Sequence, residues 1–290
     1  TAENRIFTDE PMKKHTTFRV GGPADILVQP KGTELAAVIR LCRKYDVPYQ
    51  VIGNGSNLLV GDRGIRGLVI EMLSKEDEIC VEDDCITVGA GMLLSKTANR
   101  AAEHGLTGME FAAGIPGRIG GAVVMNAGAY GGEMKDILTA VTVLDQEGNE
   151  KILSAEELEL GYRTSCILKK GYIVTGAKIK LKHGEETAIR ARMEELKKQR
   201  VEKQPLEYPS AGSTFKRPEG YFAGKLIMDA GLRGYLVGEA QVSEKHCGFV
   251  INRGNATAAD VRTLMQNVAD IVEEKFGVRL EPEVKMIGEF

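Results

Sequence analysis

The chain contains no tryptophan, and aromatic residues make up only 6% of its 290 positions. No apolar run approaches the roughly 20 residues that a bilayer-spanning helix requires. The segment from Thr1 to Pro11 is polar and lacks a signal-peptide core, and the first residue is Thr rather than Met, which points to a trimmed start. Cysteine is sparse: positions 42, 80, 85, 166 and 247 are odd in number and contain no Cys-x-x-Cys pair. A reduced cytoplasmic protein with packed or incidental thiols fits this best. The histidines at 15, 104, 183 and 246 have no metal-ligand spacing, so no metal is expected. Net charge is −3 with no basic stripe, which argues against nucleic acid as a partner. There is no Gly-x-Gly-x-x-Gly after a strand and no Walker Lys-Ser/Thr, so neither the Rossmann nor the P-loop reading is supported. No internal repeat or low-complexity tract is visible.

Glycine, by contrast, is abundant at 34 residues, and seven of these fall between Gly114 and Gly132. Ordered glycine is entropically costly. A cluster this dense suits a backbone that turns tightly or lies against a large flat ligand, its peptide N–H groups gathered round an anion such as a pyrophosphate. Upstream, the short strand Tyr49 to Ile52 feeds a second loop, Gly53-Asn54-Gly55-Ser56-Asn57, whose side chains add donors. Two such loops can hold one extended dinucleotide.

The remaining pattern predicts an α+β protein. A strand ends at Pro30, and Thr33 is placed to cap a helix carrying Leu35, Val38, Ile39 and Cys42. Strands are expected at Leu68 to Glu71, Ile86 to Ala90, Ile137 to Leu144, Tyr172 to Leu181 and Leu280 to Ile287. Helices are expected at Leu93 to His104, Glu185 to Arg200 and Gly224 to Ala230. A longer one opens at Thr257 with Asp260 as capping-box partner and closes at Gly277. The stretch from Tyr208 to Ser213 reads as turn-rich.

Three polar constellations carry possible chemistry. Gly161-Tyr162-Arg163-Thr164-Ser165 sets a guanidinium among small residues, where it suits a carboxylate or a developing oxyanion, or else stacks on its neighbour as a surface Arg. Ser210 to Pro218 brings small residues close to a ligand, followed by the cations Lys216 and Arg217; it reads equally as a plain turn. No His-Asp pair accompanies Ser213, which makes acyl transfer a poor fit. Glu281-Pro282-Glu283-Val284-Lys285 offers carboxylates beside the last strand, either functional or simply solvated.

In this order the stretches resemble the bacterial flavoenzyme family of UDP-N-acetylenolpyruvoylglucosamine reductases. The motifs are Thr-Thr-Phe-Arg-Val-Gly-Gly at 16–22, Gly-Asn-Gly-Ser-Asn-Leu-Leu at 53–59, Gly-Ile-Pro-Gly-x-Ile-Gly-Gly at 114–121 and Asn-Ala-Gly-Ala-Tyr-Gly at 126–131. Gly-Tyr-Arg-x-Ser at 161–165, Ala-Gly-Ser-x-Phe-Lys at 211–216 and the Glu-Pro-Glu-Val-Lys segment complete the set. The resemblance implies a vanillyl-alcohol-oxidase/PCMH-type FAD-binding fold with a third, C-terminal α+β lobe over the substrate. It implies NADPH as reductant and a UDP-sugar enolpyruvyl ether as substrate. FAD would lie against Gly53, Asn54, Gly55, Ser56 and Asn57, and against Gly114, Ile115, Pro116, Gly117, Gly120, Gly121 and Ala122. The attachment is expected to be non-covalent, since neither loop holds His or Cys. Arg163, Ser213 and Glu283 take the catalytic positions by resemblance, and Lys203, Tyr130 and Arg217 the substrate contacts. The span between Arg163 and Lys203 is short, which places the chain in the subgroup lacking an extra substrate-binding Tyr loop.

The lobes expected on this basis are 1–72 and 73–202 for FAD and 203–283 for substrate, with 284–290 returning to the first. A monomer or weak homo-oligomer is expected. Another flavin oxidoreductase of the same fold, such as a hydroxyacid or sugar oxidase, and a non-enzymatic nucleotide-sugar binder remain as alternatives.

Overall fold

A computed structural model describes residues 5–74 and 79–290. The start of the polar N-terminal segment, residues 1–4, lies outside the described residues. The fold is α+β. The chain opens with β1 (Ile6–Pro11), β2 (Pro23–Val28) and α1 (Glu34–Lys44), then β3 (Tyr49–Ile52), β4 (Leu58–Val60) and β5 (Ile65–Glu71). Next come β6 (Ile79–Glu82), β7 (Cys85–Gly89), α2 (Leu94–Glu103) and β8 (Leu106–Thr107). The glycine-rich stretch contains α3 (Ile119–Val124), β9 (Gly128–Ala129) and β10 (Gly132–Glu133). It is followed by β11 (Leu138–Leu144), β12 (Glu150–Ser154), α4 (Cys166–Lys170), β13 (Ile173–Lys180) and β14 (Lys182–His183). The last third holds α5 (Glu186–Lys203), β15 (Ser210–Ser213), α6 (Ala223–Asp229), β16 (Leu236–Val237) and β17 (Ala240–Val242). It ends with β18 (Phe249–Asn252), α7 (Ala258–Phe276) and β19 (Lys285–Ile287). Among the described residues no helix is long and apolar enough to cross a membrane.

The chain divides into two compact units. The first comprises Val28–Asn54 and Ile70–Arg200 with Arg5 and Ile6. Its centre is a five-stranded antiparallel sheet in the order β12-β11-β13-β7-β6. Inward residues such as Val141, Val143, Ile179 and Ile86 pack with α2 and α3 in one core. Alternation is clearest in β13, where Ala177 and Ile179 are buried while Lys178 and Lys180 are exposed.

The second unit comprises Phe7–Leu27, Gly55–Val69 and Val201–Phe290. Here β1, β2 and β5 neighbour one another in that order, β19 pairs in parallel with β4, and a four-stranded sheet runs β15-β18-β17-β16. Its core gathers Phe18, Leu59, Phe215, Ile227 and the Val261, Leu264 and Val268 stripe of α7. The capping box of Thr257 and Asp260 forms, and Gly277 ends the helix at φ 66.

Several expectations shift. Thr33 stands at the start of α1, but its side chain makes no cap; Glu34 accepts the Lys31 N–H instead, at 2.8 Å. The charged helix expected to end at Arg200 runs on to Lys203, so Lys203 is helical. Ser210 to Ser213 is a strand rather than a turn, with a register shift against β18 that Gly212, at φ 76, absorbs. The final strand is only Lys285–Ile287, because Lys216 N–H and the Phe215–Pro282 bridge take up the preceding backbone.

Candidate functional site

Within the first unit, Gly53 and Asn54 of the shorter glycine loop meet the longer one. Asn54 Nδ2 donates to the Pro116 carbonyl at 2.8 Å. A Cβ on Gly53 would lie 3.5 Å from Cβ of Arg118. The longer loop is fixed to the end of β7. The Ile119 and Gly120 N–H groups donate to Met92 and Ala90 carbonyls at 2.8 Å each, and Leu94 N–H donates to Gly117 at 3.0 Å. Gly120 sits close to the end of β7, where an added Cβ would stand a tight 3.1 Å from that of Ala90. Gly121 faces open space. Arg118 Nη1 donates to the Gly91 carbonyl at 2.6 Å, and its Nε is buried without an acceptor. Burial pulls this guanidinium below its usual value, and nearby Glu71 opposes that shift.

Arg163 sits on a tight turn of the same unit. Gly161 and Thr164 exchange backbone bonds of 3.1 and 3.3 Å, which forces Arg163 to φ 54 and lays its guanidinium 5.1 Å from the Tyr162 ring centre. The turn is held from behind by Asn126, a residue only 1% exposed. Its Nδ2 donates to the Gly161 carbonyl at 3.2 Å and to Glu133 Oε2 at 2.7 Å, and its Oδ1 accepts the Lys135 N–H at 2.9 Å. Ser165 adds a 2.8 Å bond from its hydroxyl to the Val124 carbonyl. Asn126 falls inside a motif read for resemblance, but nothing in the sequence gives it this role.

In the second unit the structure brings Ser213 and Glu283 onto adjoining backbone. Ser213 ends β15 with its residue exposed to solvent. Thr214, next along, is buried; its N–H donates to Gly248 and its hydroxyl oxygen accepts Val250 N–H, both at 2.9 Å. The Glu283 N–H donates to the Thr214 carbonyl at 2.9 Å, and Glu283 is 8% exposed. Asn57 clasps the same segment: its Nδ2 donates to the Glu283 carbonyl at 3.3 Å, and its own carbonyl accepts Lys285 N–H at 2.9 Å. Gly55, at φ 59, packs so closely on the His15 carbonyl that no side chain fits.

The substrate candidates are spread over both units. Tyr130, at φ 53, is 38% exposed on the first. Near it, Arg200 donates to the Gly114 carbonyl, and burial holds its guanidinium below the usual value. On the second unit Lys203 is exposed at the last turn of α5, and Arg217 stacks 4.0 Å from the centre of the Phe222 ring. Sequence reading singled out neither Arg118 nor Arg200. Among the described residues no group of three or more His, Cys, Asp and Glu is placed to hold a metal ion.

Joined glycine loops, amide and hydroxyl donors and a half-buried guanidinium fit a dinucleotide with a diphosphate bridge. The FAD binding domain family matches residues 24–154, so the chain is of the FAD-binding oxidoreductase class, with a vanillyl-alcohol-oxidase/PCMH-type fold. The family described as UDP-N-acetylenolpyruvoylglucosamine reductase, C-terminal domain, matches residues 204–287. The UDP-N-acetylenolpyruvoylglucosamine reductase of Agathobacter rectalis is 59% identical, covering 98% of this chain and 95% of the relative. That of Lachnoclostridium phytofermentans is 58% identical over 98% and 94%. The crystal structure of the Thermus caldophilus enzyme, 40% identical, superimposes with a TM-score of 0.82 and covers 97% of both chains. The chain belongs to the UDP-N-acetylenolpyruvoylglucosamine reductase family.

Proposed function

We propose that this chain reduces the enolpyruvyl ether of UDP-N-acetylglucosamine to the lactyl ether, UDP-N-acetylmuramate, with Arg163, Ser213 and Glu283 acting on the substrate. Bound FAD, once reduced by NADPH, would supply a hydride for the methylene carbon. Charge then builds on the neighbouring carbon and its carboxylate. Arg163 offsets that charge, and Glu283 stabilises the enolate by hydrogen bonding. Ser213 delivers the proton to the same carbon. The observation that carries this reading is the pairing of an exposed Ser213 with a Glu283 segment bonded to the residue after it, at 2.9 Å. Lys203, Tyr130 and Arg217 contact the UDP-sugar. Gly53, Asn54, Gly55, Ser56 and Asn57 would hold FAD together with Gly114, Ile115, Pro116, Gly117, Gly120, Gly121 and Ala122. The lobes run 1–72, 73–202 and 203–283, with 284–290 returning to the first. The enzyme works in the cytoplasm, in peptidoglycan precursor synthesis, as a monomer or weak homo-oligomer.

Anaerobic rapid mixing of Ser213→Ala tests the assignment. Flavin reduction by NADPH is expected to keep its rate, and reoxidation by the enolpyruvyl sugar to fall about 10²–10⁴-fold, the worth of a positioned proton donor. Two intact half-reactions would remove Ser213 from the chemistry.

A further inference from the structure

The residue between Gly117 and Ile119 is an arginine whose surroundings serve more than packing. Its stem runs beside Gly53, with Cβ, Cδ and Cγ 3.5–3.8 Å from the position a Cβ would take there. One end of the fork bonds the Gly91 carbonyl at 2.6 Å. The Nε is covered by the protein and has no acceptor, so the end of the fork left to meet a ligand is Nη2. The nearby carboxylate, Glu71, is engaged by Gln29 Nε2 at 2.7 Å. A cation thus stands where the Asn54 loop is tied to the Pro116 loop. A loop that only needed to turn would gain nothing from a desolvated guanidinium at this seam.

We propose that Arg118 is an anchor for the pyrophosphate of FAD, its Nη2 donating to a phosphate oxygen at the junction of the two glycine loops. The inference rests on the FAD reading of those loops. A guanidinium matches a phosphate oxygen better than a carbonyl, because the bond is then charge-assisted on both sides. Glu71 lies close enough to favour the charged form of Arg118 against the effect of burial.

The test is an FAD titration of apoprotein, followed by flavin fluorescence, for the wild type, Arg118→Gln and Arg118→Lys, with thermal unfolding of each apoprotein and the midpoint potential of each FAD-saturated form. Wild-type protein that takes up no FAD would sink the FAD reading itself. With wild-type binding in hand, Arg118→Gln is expected to raise the Kd about ten- to a hundredfold, as loss of a charged hydrogen bond does, while apoprotein melting and potential stay put. An unchanged Kd with a lowered apoprotein melting temperature makes Arg118 a structural strap and overturns the proposal. A raised Kd with a lowered potential puts the cation at the isoalloxazine and also overturns it. Should Arg118→Gln fail to fold, Arg118→Lys keeps the charge without the fork. It is expected to lose about threefold to tenfold in affinity, and wild-type affinity there overturns the proposal.

Discussion

Replacing Asn126 with alanine puts the Arg163 turn to its hardest test. The carboxamide makes three bonds: to Glu133 Oε2 at 2.7 Å, to the Gly161 carbonyl at 3.2 Å and from Lys135 N–H at 2.9 Å. The bond to the carboxylate contributes about 1.5–3 kcal/mol and each neutral one about 0.5–1.5 kcal/mol. Part returns as water reaches the freed groups. Asn126 also holds φ 42, a conformation that costs alanine about 1 kcal/mol more than asparagine or glycine. The net loss expected is about 3 kcal/mol, a large share of the roughly 5–15 kcal/mol that holds a typical protein folded. Urea unfolding of the apoprotein reads it as a drop in midpoint at constant slope. Asn126→Gly removes the same bonds without the strain, so it should recover about 1 kcal/mol. With the turn loosened, substrate-dependent flavin reoxidation should slow while reduction by NADPH does not. A stability loss below about 1 kcal/mol, together with unaltered reoxidation, would refute the view that Asn126 sets the Arg163 turn.

Three further outcomes follow from other contacts. Gly55→Ala sets a methyl group against the His15 carbonyl and 2.8 Å from Thr16 Cα at φ 59, so thermal unfolding should show a loss of about 2 kcal/mol or more; a neutral result would mean that the loop moves freely. Asp62 accepts the Ala258 and Ala259 N–H groups at 2.8 and 2.9 Å, acting as an extra cap on α7, so Asp62→Ala should cost about 1–2 kcal/mol in urea unfolding and Asp62→Asn less. Asp145 accepts Asn149 and Glu147 N–H groups at 2.9 Å, with Lys151 close by, and these hold its carboxyl at about 2 against an ordinary 3.8. Because the folded value is the lower, its stabilisation is full above pH 3.8 and fades as pH falls toward about 2. Asp145→Asn should therefore flatten the stability profile across that window, and parallel profiles would show that Asp145 contributes nothing there.

Local signals made much of the fold legible. β3 falls where Tyr49 to Ile52 was expected, and α7 follows its cap, stripe and terminal glycine. Elements defined by distant partners were not. β17 and β18 are buried throughout, so they show no alternation, and β15 hides behind the turn-forming composition of Ser210 to Ser213. α3 forms despite Gly120 and Gly121 because neighbouring backbone at Ala90 and Met92 holds its first residues. In the candidate site, glycine density marked the loops, and the family resemblance pointed to Arg163, Ser213 and Glu283. The supports were invisible: Asn126 and Arg118 gain meaning only from contacts with residues far along the chain.

The second unit takes its chain from three separate stretches, the last beginning at Val201, and β4 finds its parallel partner only at Lys285–Ile287. A ribosome delivers the polypeptide from the N-terminus, so Phe7–Leu27 and Gly55–Val69 emerge long before the segment that completes their surroundings. Those early pieces cannot complete their core until the last stretch is made, and a chain released before Lys285 would be a substrate for chaperones and proteases rather than a half-working enzyme.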